Sequence, residues 1–149
     1  MHGIKMTRRV YERIVDTLGK YSPECGGVLG AGEDGVITEF FFDATGKSTP
    51  NGYAPDVKAI NEMLTNDWMP RGILMVGIVH SHSNGNSVPS CGDISYGVRI
   101  LQALDTVERF YLPIVTMDEG DVQMNSYEIG HDDIRGIVCR RIECKLVEF

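Results

Sequence analysis

The 149-residue chain is expected to fold as an α/β domain, a mixed β-sheet flanked by helices, and three observations lead there. Segments with apolar residues four apart alternate with short, almost continuous apolar runs. Their order is helix, strands, helix, strand, helix, strands, which suits a mixed sheet packed by helices. Hydrophobic residues make up 42% of the chain, enough at this length for one real core. No internal repeat, low-complexity tract or linker interrupts the pattern, so a single domain over residues 1–149 is expected.

In MTRRVYERIVDTLGKY, Val10, Ile14 and Leu18 recur at four-residue spacing with charges on the other face. This predicts an opening amphipathic helix capped by Thr7 and stopped at Tyr21-Ser22-Pro23. CGGVLGAG and GVITEFFFDA read as strands joined by a hairpin turn at Glu33-Asp34-Gly35. TGKSTPNGYAP reads as a turn-rich connector. PDVKAINEMLTNDWMP follows as a helix with Val57, Ile60, Leu64 and Trp68 on one face and Pro70 as its stop. ILMVGIVHSH is nearly unbroken apolar sequence ending in polar residues, the pattern of a strand buried on both faces as it leaves a sheet. DISYGVRILQAL can form a helix, RFYLPIVTMDE and DVQMNSYEIG pair as strands around Glu119-Gly120, and GIVCRRIECKLVEF closes the chain as a strand or a helix.

A net charge of −7 and a pI near 5.0 disfavour a nucleic-acid partner, since such binding rests on clustered Lys and Arg. The basic clusters are only Arg8-Arg9 and Arg140-Arg141. The N-terminal MHGIKMTRRV lacks an apolar signal region, and no stretch approaches the roughly 18 apolar residues of a membrane span. A cytoplasmic protein with no membrane partner is expected. Cys25, Cys91, Cys139 and Cys144 have neither the density of a disulfide framework nor the C-x2-C spacing of a zinc ribbon, so they read as reduced thiols.

Chemistry concentrates in VHSHSNGNSVPSCGD, residues 79–93. On a strand, His80 and His82 point to one face, and two imidazoles at a strand end can share a tetrahedral zinc. Asp93, in the first turn of a helix starting at Ser90, is the candidate third ligand. Two histidines and one carboxylate leave a fourth position open, where zinc lowers the pKa of a bound water from about 15.7 to about 7. A hydrolytic site also needs a carboxylate that is not a ligand, and Glu24, at the mouth of CGGVLG, is the candidate general acid/base. Glu12, Glu33 and Glu39 sit on faces or turns that read as solvated. Ser90 is then available as a donor to a developing oxyanion.

Plainer readings stand beside these. Ser90-x-x-Asp93 also reads as a helix capping box, a purely structural device. A His-x-His by itself is more often surface or core, and Glu24 by itself is a turn residue. Cys91 reads as an inert first-turn residue, and His2 and His131 as ordinary polar residues.

Taken together, Glu24 before C-G-G-V-L-G, then His80-x-His82, seven residues, Ser90, two residues and Asp93, resembles the JAMM (MPN-plus or JAB) zinc metallopeptidase family, whose pattern is an upstream Glu and H-x-H-x7-S-x2-D. The resemblance implies an α-β-α sandwich related to the cytidine deaminases. It further implies His80, His82 and Asp93 as Zn2+ ligands, Glu24 as general acid/base and Ser90 as oxyanion stabiliser. Ser83 stands where the family usually has proline, and the chain has no room for long insertions, so a compact, prokaryote-like member is the better match. The implied activity is cleavage after the C-terminal glycine of a ubiquitin-like or sulfur-carrier protein substrate by a Glu-activated, zinc-bound water. The alternative is a non-catalytic binding or scaffold module of the same fold. A nucleobase deaminase would require H-x-E and P-C-x-x-C, which the chain lacks.

Overall fold

The computed structural model describes residues 3–19, 24–49, 52–82, 86–104, 108–118 and 120–148. The chain opens with a strand, β1 (Gly3–Thr7), where the sequence suggested only a helix. Its signal is two alternating positions, Ile4 and Met6, both wholly buried. The expected helix follows as α1 (Arg8–Leu18), with Thr7 Oγ1 accepting from Val10 N at 3.3 Å and Val10, Ile14 and Leu18 buried. Each of those side chains contributes about 1.5–3 kcal/mol by leaving water. The stop expected at Tyr21-Ser22-Pro23 lies outside the described residues.

Strands β2 (Gly26–Ala31) and β3 (Ile37–Phe42) form the anticipated hairpin. The connector after them is not irregular: β4 (Lys47–Thr49) and β5 (Gly52–Ala54) pair antiparallel as a small separate sheet. Strands this short carry no readable alternation, and the Gly and Pro around them dominate the sequence pattern. Helix α2 (Val57–Met63) continues as a π-helical turn (Leu64–Trp68) and a 3-10 turn (Met69–Arg71) that contains Pro70. Of the predicted face, Ile60 and Trp68 are buried, whereas Val57, the first residue of α2, is 54% exposed.

Strand β6 (Leu74–His82) is buried from Gly77 onward. It leads to α3 (Cys91–Ala103), then β7 (Arg109–Tyr111), β8 (Ile114–Asp118), β9 (Asp121–Asp132) and β10 (Gly136–Val147). Leu112-Pro113 splits one expected strand into β7 and β8, and the last segment is a strand and not a helix. No helix among the described residues is long and apolar enough to cross a membrane.

The main sheet runs β10-β1-β3-β2-β6-β7-β9-β8. It departs from a clear three-layer sandwich because its ends meet. β10 pairs antiparallel with β9 through Gly136–Ile142, then in parallel with β1 through Glu143–Val147. The ladder therefore closes into a barrel-like ring, joined between β1 and β3 by the single pair Met6 and Ile37. One face packs α1 against Leu29, Ile37, Val79 and Val115. Val28 and Ile78, on the opposite face, meet Trp68 after α2 and Leu101 of α3.

All four cysteines are unpaired thiols. Burial pushes the Cys144 thiol up to about 11 and also raises Cys139. Burial raises Cys25 as well, against an opposing hydrogen bond with Ser81. Cys91 is exposed. Since the thiolate is the nucleophile, iodoacetamide at pH 8 is expected to label Cys91 first and Cys144 last. Peptide mass mapping over time reads the order, and equal rates at the two sites would contradict it.

Candidate metal centre

Two elements deliver the three side chains of the site. His80 and His82 sit on the buried end of β6, one pleat apart, and so share a face. Asp93 comes from the first turn of α3, which begins where the loop after β6 returns. His80 Nε2 lies 3.0 Å from His82 Nε2, and each is 3.2 Å from an Asp93 carboxylate oxygen. Among the described residues this is the group of His, Cys, Asp and Glu side chains that could hold a metal ion.

The donor set fits zinc. Ligands at about 2.0–2.1 Å in a tetrahedron lie about 3.3 Å from one another, close to the separations seen here. The tautomer is also set: His82 Nδ1 donates to the Asn86 carbonyl at 2.7 Å, because a carbonyl oxygen can only accept. In neutral His82 the Nε2 lone pair then faces the Asp93 carboxylate, a repulsion that either a proton on Nε2 or a metal ion held between the two relieves. Asn86 is a partner the sequence reading missed, since a main-chain acceptor leaves no residue-type signal.

Electrostatics follow from the same contacts. Burial alone would raise the Asp93 carboxyl, but the hydrogen bonds to His80 and His82, with that from Ser90 N, hold it well below the usual carboxylate range. Burial alone would lower His82. Asp93, the Asn86 carbonyl and the negative charge of Glu24 outweigh it, so His82 is raised.

Glu24 reaches the cluster through strand register. Gly26 pairs with His80 across β2 and β6, and Ser81 N donates to the Cys25 carbonyl at 2.9 Å. Ser81 Oγ accepts from Cys25 N at 3.1 Å, holding the strands together one residue further. Continuing that register places Glu24 opposite His82 on the ligand face.

Ser90 forms the capping box in full: its Oγ accepts from Asp93 N at 3.1 Å, and Asp93 Oδ2 accepts from Ser90 N at 2.8 Å. Capping occupies a lone pair and leaves the hydroxyl hydrogen as a donor. Ser90 also lines the cavity of ≈ 210 Å³ beside His80 and Asp93, whose other walls include Tyr53, Ile78, Tyr96 and Leu112. Ser90→Ala is expected to lower stability by about 1 kcal/mol in thermal melts of the metal-free protein, from the lost cap. Cys91 contributes no atom to the cluster, and His131 is exposed far along β9.

No protein-family model matches the chain, and no curated protein matches it in sequence. Solved structures do. A protein from Desulfitobacterium hafniense, known in solution, aligns with a TM-score of 0.72 at 20% identity, over 98% of this chain and 94% of that one. A JAB1/MPN domain protein from Archaeoglobus fulgidus aligns with a TM-score of 0.54 at 20% identity, over 97% and 100%. The chain thus has the fold of a JAB1/MPN domain.

Proposed function

We propose that this chain is a JAMM-type zinc peptidase or isopeptidase that cuts after the C-terminal glycine of a ubiquitin-like or sulfur-carrier protein. The observation that carries the reading is the convergence of His80, His82 and Asp93 on one point, with a second carboxylate, Glu24, opposite His82 when the β2–β6 register is continued. A scaffold has no use for that combination. The shared fold and the Glu, H-x-H-x7-S-x2-D pattern support it.

Zinc, when bound there, supplies Lewis-acid polarisation of the scissile carbonyl and lowers the pKa of water. The chain's own residues do the rest. Asn86, through its carbonyl, holds the His82 ring so that Nε2 faces the centre. The Glu24 carboxylate takes a proton from the attacking water and returns it to the departing amine nitrogen, which can leave only when protonated. The Ser90 hydroxyl donates to the oxygen that gains charge as the carbonyl carbon becomes tetrahedral, so Ser90→Ala should also slow hydrolysis about 10²-fold. A glycine-ended tail brings little side-chain bulk, so what the site can grip is its extended main chain.

The test is incubation of zinc-loaded protein with a panel of ubiquitin-like and sulfur-carrier fusions, read by intact mass. Cleavage immediately after the terminal glycine, abolished by a chelator, is the expected result. Zinc uptake without cleavage of any fusion would favour a scaffold, and failure to take up zinc would remove the metal centre altogether.

A further inference from the structure

Asp43, Gly26 and His80 form one row across three neighbouring strands. Gly27 pairs with Phe42, so the next pair is Gly26 with Asp43, where Asp43 N donates to the Gly26 carbonyl at 3.0 Å; Gly26 in turn pairs with His80. Side chains in such a row share a face, and the middle position has none. Tyr53 of β5 fills the space. Its hydroxyl donates to Asp43 Oδ2 at 2.5 Å, and its ring stacks on His80 with centroids 6.4 Å apart and planes 22° apart. That is within the range of favourable aromatic pairs.

Two glycines make room for this arrangement. A Cβ at Gly26 would stand 2.6 Å from Tyr53 Cε2, and one at Gly46 would stand 2.7 Å from Tyr53 Cε1 and collide with the Asp43 carboxylate. Asp43 is itself only 3% exposed and is tied to the start of α2, its Oδ2 also accepting from Asp56 N at 2.9 Å. Burial, with the Asp43 carboxylate beside it, keeps the Tyr53 hydroxyl protonated far above its ordinary range, so it remains a donor. As a device for stability alone the pair is poor. Asp43 Oδ1 is buried without a hydrogen-bond partner among the described residues, a cost that an apolar pair would avoid.

We propose that Tyr53, held by Asp43 across the vacant face of Gly26, is a positioning residue that fixes the ring of His80 for metal binding. The inference rests on the metal-centre reading above. His82 has the Asn86 carbonyl to set its orientation, and Tyr53 supplies the corresponding restraint on His80 by packing on its face. Outer partners of metal-binding histidines typically change affinity about 10–100-fold.

Cobalt(II) titration of the full chain tests this, since the visible spectrum reports ligand geometry independently of turnover. Tyr53→Leu is expected to weaken cobalt binding about 10-fold or more and to alter the d–d bands. Tyr53→Phe, which keeps the ring but loses its tie to Asp43, should bind cobalt more tightly than Tyr53→Leu but with bands shifted from wild type, and Asp43→Asn, which keeps an acceptor for the hydroxyl, should resemble wild type. Wild-type affinity and spectrum in Tyr53→Leu, with or without a fall in thermal stability, would overturn the proposal. If Tyr53→Leu does not fold, Tyr53→Phe decides: freed from Asp43, its ring must shift the cobalt bands at unchanged far-UV circular dichroism, and an unshifted spectrum counts against the role. A wild-type chain that takes up no cobalt fails earlier, at the metal-centre reading itself.

Discussion

Glu24→Gln is expected to lower hydrolysis of a glycine-ended fusion about 10²–10⁴-fold while zinc content and thermal stability stay at wild-type values. Glutamine keeps the size and hydrogen-bonding reach of glutamate but cannot take a proton at neutral pH. The residues that could hold a metal are His80, His82 and Asp93, so the substitution leaves that group unchanged. One side effect is predictable: the Glu24 charge is among those raising His82, and its loss should bring the His82 pKa down in metal-free protein, visible by NMR titration. Zinc analysis beside initial rates makes the measurement decisive. Loss of zinc from the variant would recast Glu24 as a ligand, and undiminished turnover would dismiss it as the proton carrier.

The second large effect belongs to Asp93, which holds two jobs. Its Oδ2 accepts from Ser90 N in the capping box, and its two oxygens face the two histidines. Asp93→Asn separates them. An amide oxygen can still accept from Ser90 N, so the helix start survives, but the anionic ligand is gone. Zinc affinity should fall at least about 100-fold, beyond what is usual for an outer partner. Asp93→Ala loses the cap as well and should cost about 1 kcal/mol more in metal-free stability.

The pH dependence of metal-free protein carries a sign. The folded state holds the Asp93 carboxyl well below the usual range. Its contribution to stability is therefore complete above the unfolded carboxylate pKa of about 3.9 and declines as pH falls below it. Wild type should lose its advantage over Asp93→Asn in acid, as chemical denaturation at stepped pH would measure. An advantage that grew as pH fell further below about 3.9 would be incompatible with the contacts described.

Much of the fold was legible. Val10, Ile14 and Leu18 mark α1 because an amphipathic helix repeats its signal over several turns, and ILMVGIVHSH marks β6 because a strand covered on both faces needs apolar residues throughout. The elements that escaped are those whose signal is short. β1 offers two alternating residues, and β4 and β5 are three residues each among glycine, proline and serine. Closure of the sheet was not legible either. It depends on β10 exchanging β9 for β1 midway, and neither half of GIVCRRIECKLVEF names its partner.

The candidate site divides the same way. The sequence by itself determined which donors exist and how they are spaced: period two places His80 and His82 on one face, and Ser90-x-x-Asp93 defines a helix start, since both follow from local backbone geometry. Only the tertiary structure decided what meets them. The β2–β6 register, continued two residues beyond the Gly26–His80 pair, brings Glu24 opposite His82, 58 positions later in the sequence, and the return of the loop brings the Asn86 carbonyl to Nδ1. A hairpin that looked like a connector lays Tyr53 over Gly26. Pairing register and long-range packing are set by the free energy of the whole chain, so no local stretch encodes them.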